Sequence, residues 1–272
     1  MNLRHFLTGS LTLALSLITA NVWAEQSEKN PNVEEIIPGQ TVKASHFTGS
    51  TYLRSQNDPD DLIWDRLPTY STYLLPAPPV HQSAALRFDE GASRGKYIKF
   101  QIARTDERLY IRLHWKDASE NRDTTVDSYR DGVAVQFALK GPETSYMMGT
   151  GEDQPVNMWY WRADQDSVEN LAAGGFGSTT LLENQTVTGS SAYAPQQHEK
   201  DNYWYVVMSR PIETSNEHDV DFDRESIPMG FAVWQGNDAE RDGNKRVTHT
   251  WILLDTSTDD DADTDTDTDT QS

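Results

Sequence analysis

The sequence predicts an all-β fold, an antiparallel β-sandwich with long loops and little helix. Three observations predict it: apolar residues alternate with polar ones at period two in one segment after another, Gly-, Asn- and Asp-containing stretches separate these segments, and helical periodicity is weak throughout. Ile98, Phe100 and Ile102 make the first clear run. A turn at Thr105, Asp106, Glu107 and Arg108 follows, then Leu109, Ile111, Leu113 and Trp115, so the two runs read as a hairpin. Val133, Val135, Phe137 and Leu139 share one face of the next strand. The same alternation recurs in Trp204, Val206 and Met208, in Met229, Phe231 and Val233, and in a last strand from Val247 to Leu254. A single helical turn is expected near Asp166 to Ala173.

Polarity divides the 272 residues into four parts. Residues 1–24 have the form of a signal peptide: Arg4 and His5 precede an apolar run from Leu11 to Ile18, and Val22 and Ala24 place small or β-branched side chains before a cleavage at Glu25. That run falls short of the roughly 20 apolar residues that cross a bilayer. Export to the periplasm of a bacterium is the expectation. Residues 25–44, polar and carrying Pro31 and Pro38, are expected to be disordered, as is the Asp-Thr tail over 256–272. Residues 45–255 remain for one β domain, and the mean hydropathy of −0.70 is that of a chain in water.

Composition removes several functions. The chain has no cysteine, which excludes disulfides, covalently attached c-type haem and iron–sulfur clusters. His46, His81, His114, His198, His218 and His249 show no zinc-type spacing. A formal charge of −20 opposes nucleic-acid binding, and the acidity is not confined to the tail: Asp255 and the aspartates of 259–269 hold eight negative charges, leaving −12 elsewhere. Asp60, Asp61, Asp117, Asp131, Asp164, Asp238 and Asp242 are the carboxylates a hydrolase could use, but in so acidic a chain chance pairs are expected. No Gly-x-Ser-x-Gly, phosphate loop or His-Glu-x-x-His accompanies them. Catalysis by this chain alone is not expected.

Three segments carry a specific pattern: Tyr146-Met147-Met148-Gly149-Thr150-Gly151, the stretch from Gln154 to Asp164 with Met158, Trp159, Tyr160 and Trp161, and the stretch from Phe231 to Val247 with Trp234, Asn237 and Lys245. Together with the strand Asp131 to Phe137, they resemble the haem b-binding gamma subunits of periplasmic molybdenum enzymes related to dimethyl sulfoxide reductase. That group includes ethylbenzene dehydrogenase, dimethylsulfide dehydrogenase, selenate reductase and chlorate reductase. The resemblance spans roughly residues 58 to 254. It implies one non-covalent haem b, held through its iron by a methionine sulfur and a lysine nitrogen. The lysine falls on Lys245 and the methionine most naturally on Met148, with Met147 and Met158 as alternatives. It also implies an iron–sulfur beta subunit, a molybdopterin catalytic alpha subunit and a soluble periplasmic cytochrome or similar carrier as partners.

The chemistry of those residue types suits the implied ligand set. A thioether favours ferrous iron and raises the potential, and an amine ligates only once burial or a nearby cation has depressed its pKa. Trp159, Tyr160, Trp161, Trp204, Tyr205, Trp234 and Trp251 could line a flat cofactor. Arg162, Arg241 and Arg246 could meet its propionates or form surface ion pairs. The same aromatics admit another reading, a carbohydrate-binding β-sandwich that stacks sugar rings on them.

Overall fold

The computed structural model describes residues 32–48, 57–80, 82–85, 95–126, 128–195 and 202–258. The segment over 1–24 and the tail from 259 onward lie outside these residues.

Fifteen strands run through the described chain: β1 (Val33–Glu35), β2 (Thr41–Lys43), β3 (Ser45–His46), β4 (Thr69–Pro76), β5 (Lys96–Arg104), β6 (Arg108–Lys116), β7 (Gly132–Ala138), β8 (Val156–Arg162), β9 (Ser167–Ala173), β10 (Thr180–Leu181), β11 (Thr188–Pro195), β12 (Asn202–Pro211), β13 (Ile227–Trp234), β14 (Arg246–Val247) and β15 (Ile252–Asp255). Among the described residues the only α-helix is a single turn at Gln82–Ala85, and no helix is long and apolar enough to cross a membrane.

One antiparallel layer is ordered β4-β5-β6-β12-β11 and the other β10-β9-β8-β7-β13; β14 pairs with both β13 and β4 and so joins the layers at one edge. Period-two alternation explains the packing between them. Ile98, Phe100 and Ile102 of β5, with Leu109, Ile111, Leu113 and Trp115 of β6, turn inward to meet Val133, Val135 and Phe137 of β7 and Trp159 and Trp161 of β8. Phe100 and Phe231 touch across the gap at 4.8 Å between ring centroids, and Trp161 meets Trp204 at 4.9 Å. Each such side chain, fully removed from water, contributes about 1.5–3 kcal/mol. The main core therefore lies between the layers, with two smaller buried clusters around Met158 and Trp251 and around Ile63 and Trp64.

Most of the expected strands form, including the hairpin, whose register sets Ile102 opposite Ile111 and Phe100 opposite Leu113. Three expectations are corrected. The stretch from Asp166 to Ala173 is strand β9, entered by a turn in which Asp166 takes φ 48°, because Val168 and Asn170 are buried at alternate positions against the core. The final segment is two strands, broken between Val247 and Ile252, where Thr250 has φ 133°. Part of the stretch expected to be disordered is ordered: β1 pairs with β4 and β2 with β15, both in parallel, and Ile36 and Val42 enter the core.

Candidate functional site

Because Val133, Val135 and Phe137 point into the core, their neighbours Ala134 and Gln136 face the other side of the layer, and on β13 Gly230, Ala232 and Trp234 do the same. Register places them side by side. Ala134 is opposite Ala232 and Gln136 opposite Gly230; on β8, Tyr160 is opposite Ala134 and Met158 opposite Gln136; Val247 of β14 is opposite Ala232. The outer face thus has a floor of small side chains bordered by large ones. Gly230 belongs to this floor for a steric reason: a Cβ there would lie 2.7 Å from Thr248 Oγ1, which accepts the Phe231 N–H at 3.0 Å. Above the floor opens a largely apolar cleft, open to solvent at its mouth.

One wall comes from the loop between β7 and β8. The Gly149 N–H donates to the Ser145 carbonyl at 2.9 Å and the Met147 N–H to Ser145 Oγ at 3.2 Å, closing a turn. Met148 and Gly149 follow with φ 70° and 82°. Gly149 has no room for a side chain, since a Cβ would fall 2.5 Å from the Gln154 carbonyl oxygen. The turn is fastened to its surroundings by Gln136 Nε2, which donates to the Tyr146 carbonyl at 2.9 Å, and by the Gly175 N–H, which donates to the Met148 carbonyl at 2.7 Å. Strand alternation would let only one of Met147 and Met148 face the site; in this turn it does not apply, and both line the cleft, as does Met158.

The opposite wall carries Lys245. Its carbonyl accepts the Ala77 N–H at 2.8 Å, and its half-buried side chain places Nζ 4.6 Å from the centroid of the Trp234 ring. Burial lowers the ammonium pKa to about 8, with Asp242 pulling the other way. Releasing the proton at pH 7 then costs about 1.4 kcal/mol, against nearly 5 kcal/mol at the ordinary value. Contact with the indole face favours the charged form by only about 0.5–1 kcal/mol, so burial dominates. A nitrogen donor and three thioether donors therefore converge on one apolar cleft.

The other residues singled out by the sequence divide. Trp234 lines the cleft, with Tyr160 packed 5.1 Å from it. Trp159, Trp161 and Trp204 instead belong to the inter-layer core, and Trp251 is 3 % exposed. They form neither a cofactor lining nor a platform for sugar rings. Nor do the arginines line the cleft: Arg162 pairs with Asp164 and Glu169, Arg241 lies over Tyr129 at 4.7 Å, and Arg246 pairs with Glu240. Asp131 is a structural anchor, accepting the N–H groups of Gly236 and Asn121 and the Trp204 Nε1–H at 2.8–2.9 Å. Burial raises its pKa. Sequence reasoning missed the floor residues Ala134, Gly230 and Ala232, and also Phe176. The available signal was the run of small residues at alternate positions of two strands otherwise rich in Val and Phe, and Phe176 between two glycines.

Comparison with known proteins gives a consistent family. The family model described as ethylbenzene dehydrogenase matches residues 61–194 and 180–246. Dimethylsulfide dehydrogenase subunit gamma of Rhodovulum sulfidophilum is 43 % identical over 94 % of this chain and 96 % of its own. Chlorate reductase subunit gamma of Ideonella dechloratans is 34 % identical over 72 % of this chain and 78 % of its own. A Haloferax mediterranei protein, provisionally named as a respiratory nitrate reductase heme subunit, is 37 % identical over 56 % of this chain and 53 % of its own.

Proposed function

From its membership of the ethylbenzene dehydrogenase family, as a gamma subunit of enzymes related to dimethyl sulfoxide reductase, we propose that this chain binds one haem b in the outer-face cleft and relays electrons without substrate chemistry of its own. The carrying observation is the convergence of Lys245 and three methionines on a single cleft whose floor is built from small side chains. A planar macrocycle needs such a floor, and apolar walls supply the burial that retains it without a covalent bond. Lys245 is the nitrogen ligand in this reading and Met148 the sulfur ligand, with Met147 and Met158 in reach of the same space.

Haem supplies one-electron chemistry when bound, and a thioether ligand sets its potential toward the reduced form. The chain's own residues lower the cost of removing the lysine proton and fix the donors' positions. Were Lys245 and a methionine both to hold the iron, no position would be left open on it for substrate. In the proposed assembly an iron–sulfur subunit lies on one side, itself in contact with a molybdopterin catalytic subunit, and a soluble carrier exchanges electrons on the other. The signal-peptide form of residues 1–24 supports a periplasmic location.

The experiment is reconstitution of the full chain with haem, followed by visible and electron paramagnetic resonance spectra of Lys245→Ala and of Met147→Ala, Met148→Ala and Met158→Ala. Lys245→Ala and Met148→Ala should each shift the Soret band and convert low-spin iron toward high-spin. An unchanged spectrum in Lys245→Ala would overturn the ligand assignment, and a chain that takes up no haem at all would overturn the function.

A further inference from the structure

We infer that the buried Glu240 carboxylate is a positioning residue for the Lys245 arm, clasping together both ends of the loop that carries it. The inference rests on the reading of Lys245 as the nitrogen ligand. Residues 235–246 leave β13 and return to the sheet at β14, and one side chain ties the two ends. Glu240 Oε2 accepts the Gln235 N–H at 2.8 Å, and Oε1 accepts from Nη1 of Arg246. Glu240 is 3 % exposed and Arg246 2 %. Arg246 Nη2 reaches Asp238 Oδ2 at 3.5 Å, and that carboxylate also takes Lys96 Nζ at 2.6 Å. The Gly236 N–H is held by Asp131, and the Asn244 N–H donates to the Arg241 carbonyl at 2.9 Å. Lys245 therefore stands between a residue fixed within the loop and a residue fixed by Glu240.

Stability alone is a weak reason for this pair. Desolvating two charges offsets most of their attraction, and well-packed apolar side chains of similar volume often do as well. The pair does something an apolar contact would not: each oxygen is committed to a different end of the loop, so the carboxylate sets the span between residues 235 and 246. A lysine chain is costly to order. Nζ reaches a defined place over the cleft only if the backbone beneath it is already fixed.

The test uses the haem-loaded full chain. Imidazole is titrated into wild type, Glu240→Gln, Arg246→Lys and Asp219→Asn, with the Soret band and the low-spin resonance as readouts, because imidazole replaces whichever axial ligand is most loosely held. Glu240→Gln should lower the imidazole concentration at half-replacement about tenfold. Arg246→Lys keeps the charge and loses the fork that spans Glu240 and Asp238, and should fall in between. Asp219→Asn disturbs a fully buried carboxylate paired with Arg210; it should lower thermal stability and leave the imidazole midpoint in place. The clasp is refuted if Glu240→Gln and Arg246→Lys titrate as wild type, or if Asp219→Asn shifts the midpoint as far as they do. Should Glu240→Gln not fold, Arg246→Lys decides by the same criterion. A Lys245→Ala spectrum identical to wild type would instead sink the ligand reading beneath the clasp.

Discussion

Asp117 should make the folded protein lose stability as pH rises, and Asp117→Asn should restore it. The side chain is fully buried. Its Oδ1 accepts the Ser119 N–H at 3.3 Å, while Oδ2, like Gln235 Oε1, has no hydrogen-bond partner among the described residues. Burial and then the nearby Asp131 charge push its pKa from 3.8 up to about 7. A folded-state pKa above the unfolded one means that the native state keeps a proton which the unfolded chain releases. Stability therefore begins to fall near pH 4, declines by about 1.4 kcal/mol per pH unit, and levels off above pH 7. The whole loss is about 4 kcal/mol at most. Asparagine is neutral at every pH and nearly the same shape, though it leaves a buried amide to satisfy, so about 2–4 kcal/mol should be recovered at pH 8. Urea unfolding of the haem-free protein at pH 5 and pH 8 measures it, because other titrating groups are common to both chains. The gap between variant and wild type should widen in the variant's favour by about 2 kcal/mol or more. A gap that stays constant, or a variant less stable at pH 8, refutes the assignment of the strained charge to Asp117.

Two further outcomes follow from the cleft. Ala232→Leu puts a larger side chain on the outer floor and none in the core; haem uptake should fall at least tenfold with circular dichroism unchanged, as equilibrium titration would show. Gly149→Ala places a Cβ against the Gln154 carbonyl at positive φ, and should cost about 1–2 kcal/mol in urea unfolding while broadening the Soret band more than it lowers haem content.

The layers were legible because the residues that build them alternate at period two. Ile98 to Trp115 and Val133 to Phe137 announce both their strands and their inward faces. The second strand of the β8–β9 hairpin was misread because Asp166-Ser167-Val168-Glu169 has polar residues at helix-like intervals, and only the αL turn at Asp166 shows where the chain reverses. The parallel pairings of β1 with β4 and of β2 with β15 were hidden because β1 and β2 are each three residues long and gain their order from the partner strand. At the cleft, Lys245 and the methionines were singled out through resemblance to a known family, and their meeting on one cleft was not legible, since Lys245 and Met148 lie on loops set by long-range register. The tryptophans misled for a simple reason: sequence tells that an indole is apolar and says nothing about which face of a sheet it takes.

The cleft and the hydrophobic core lie on opposite sides of one sheet. In the proposed reading the cofactor would sit on the outside of that layer, so the packing between the layers would not depend on it. Folding and haem loading would then be separable steps.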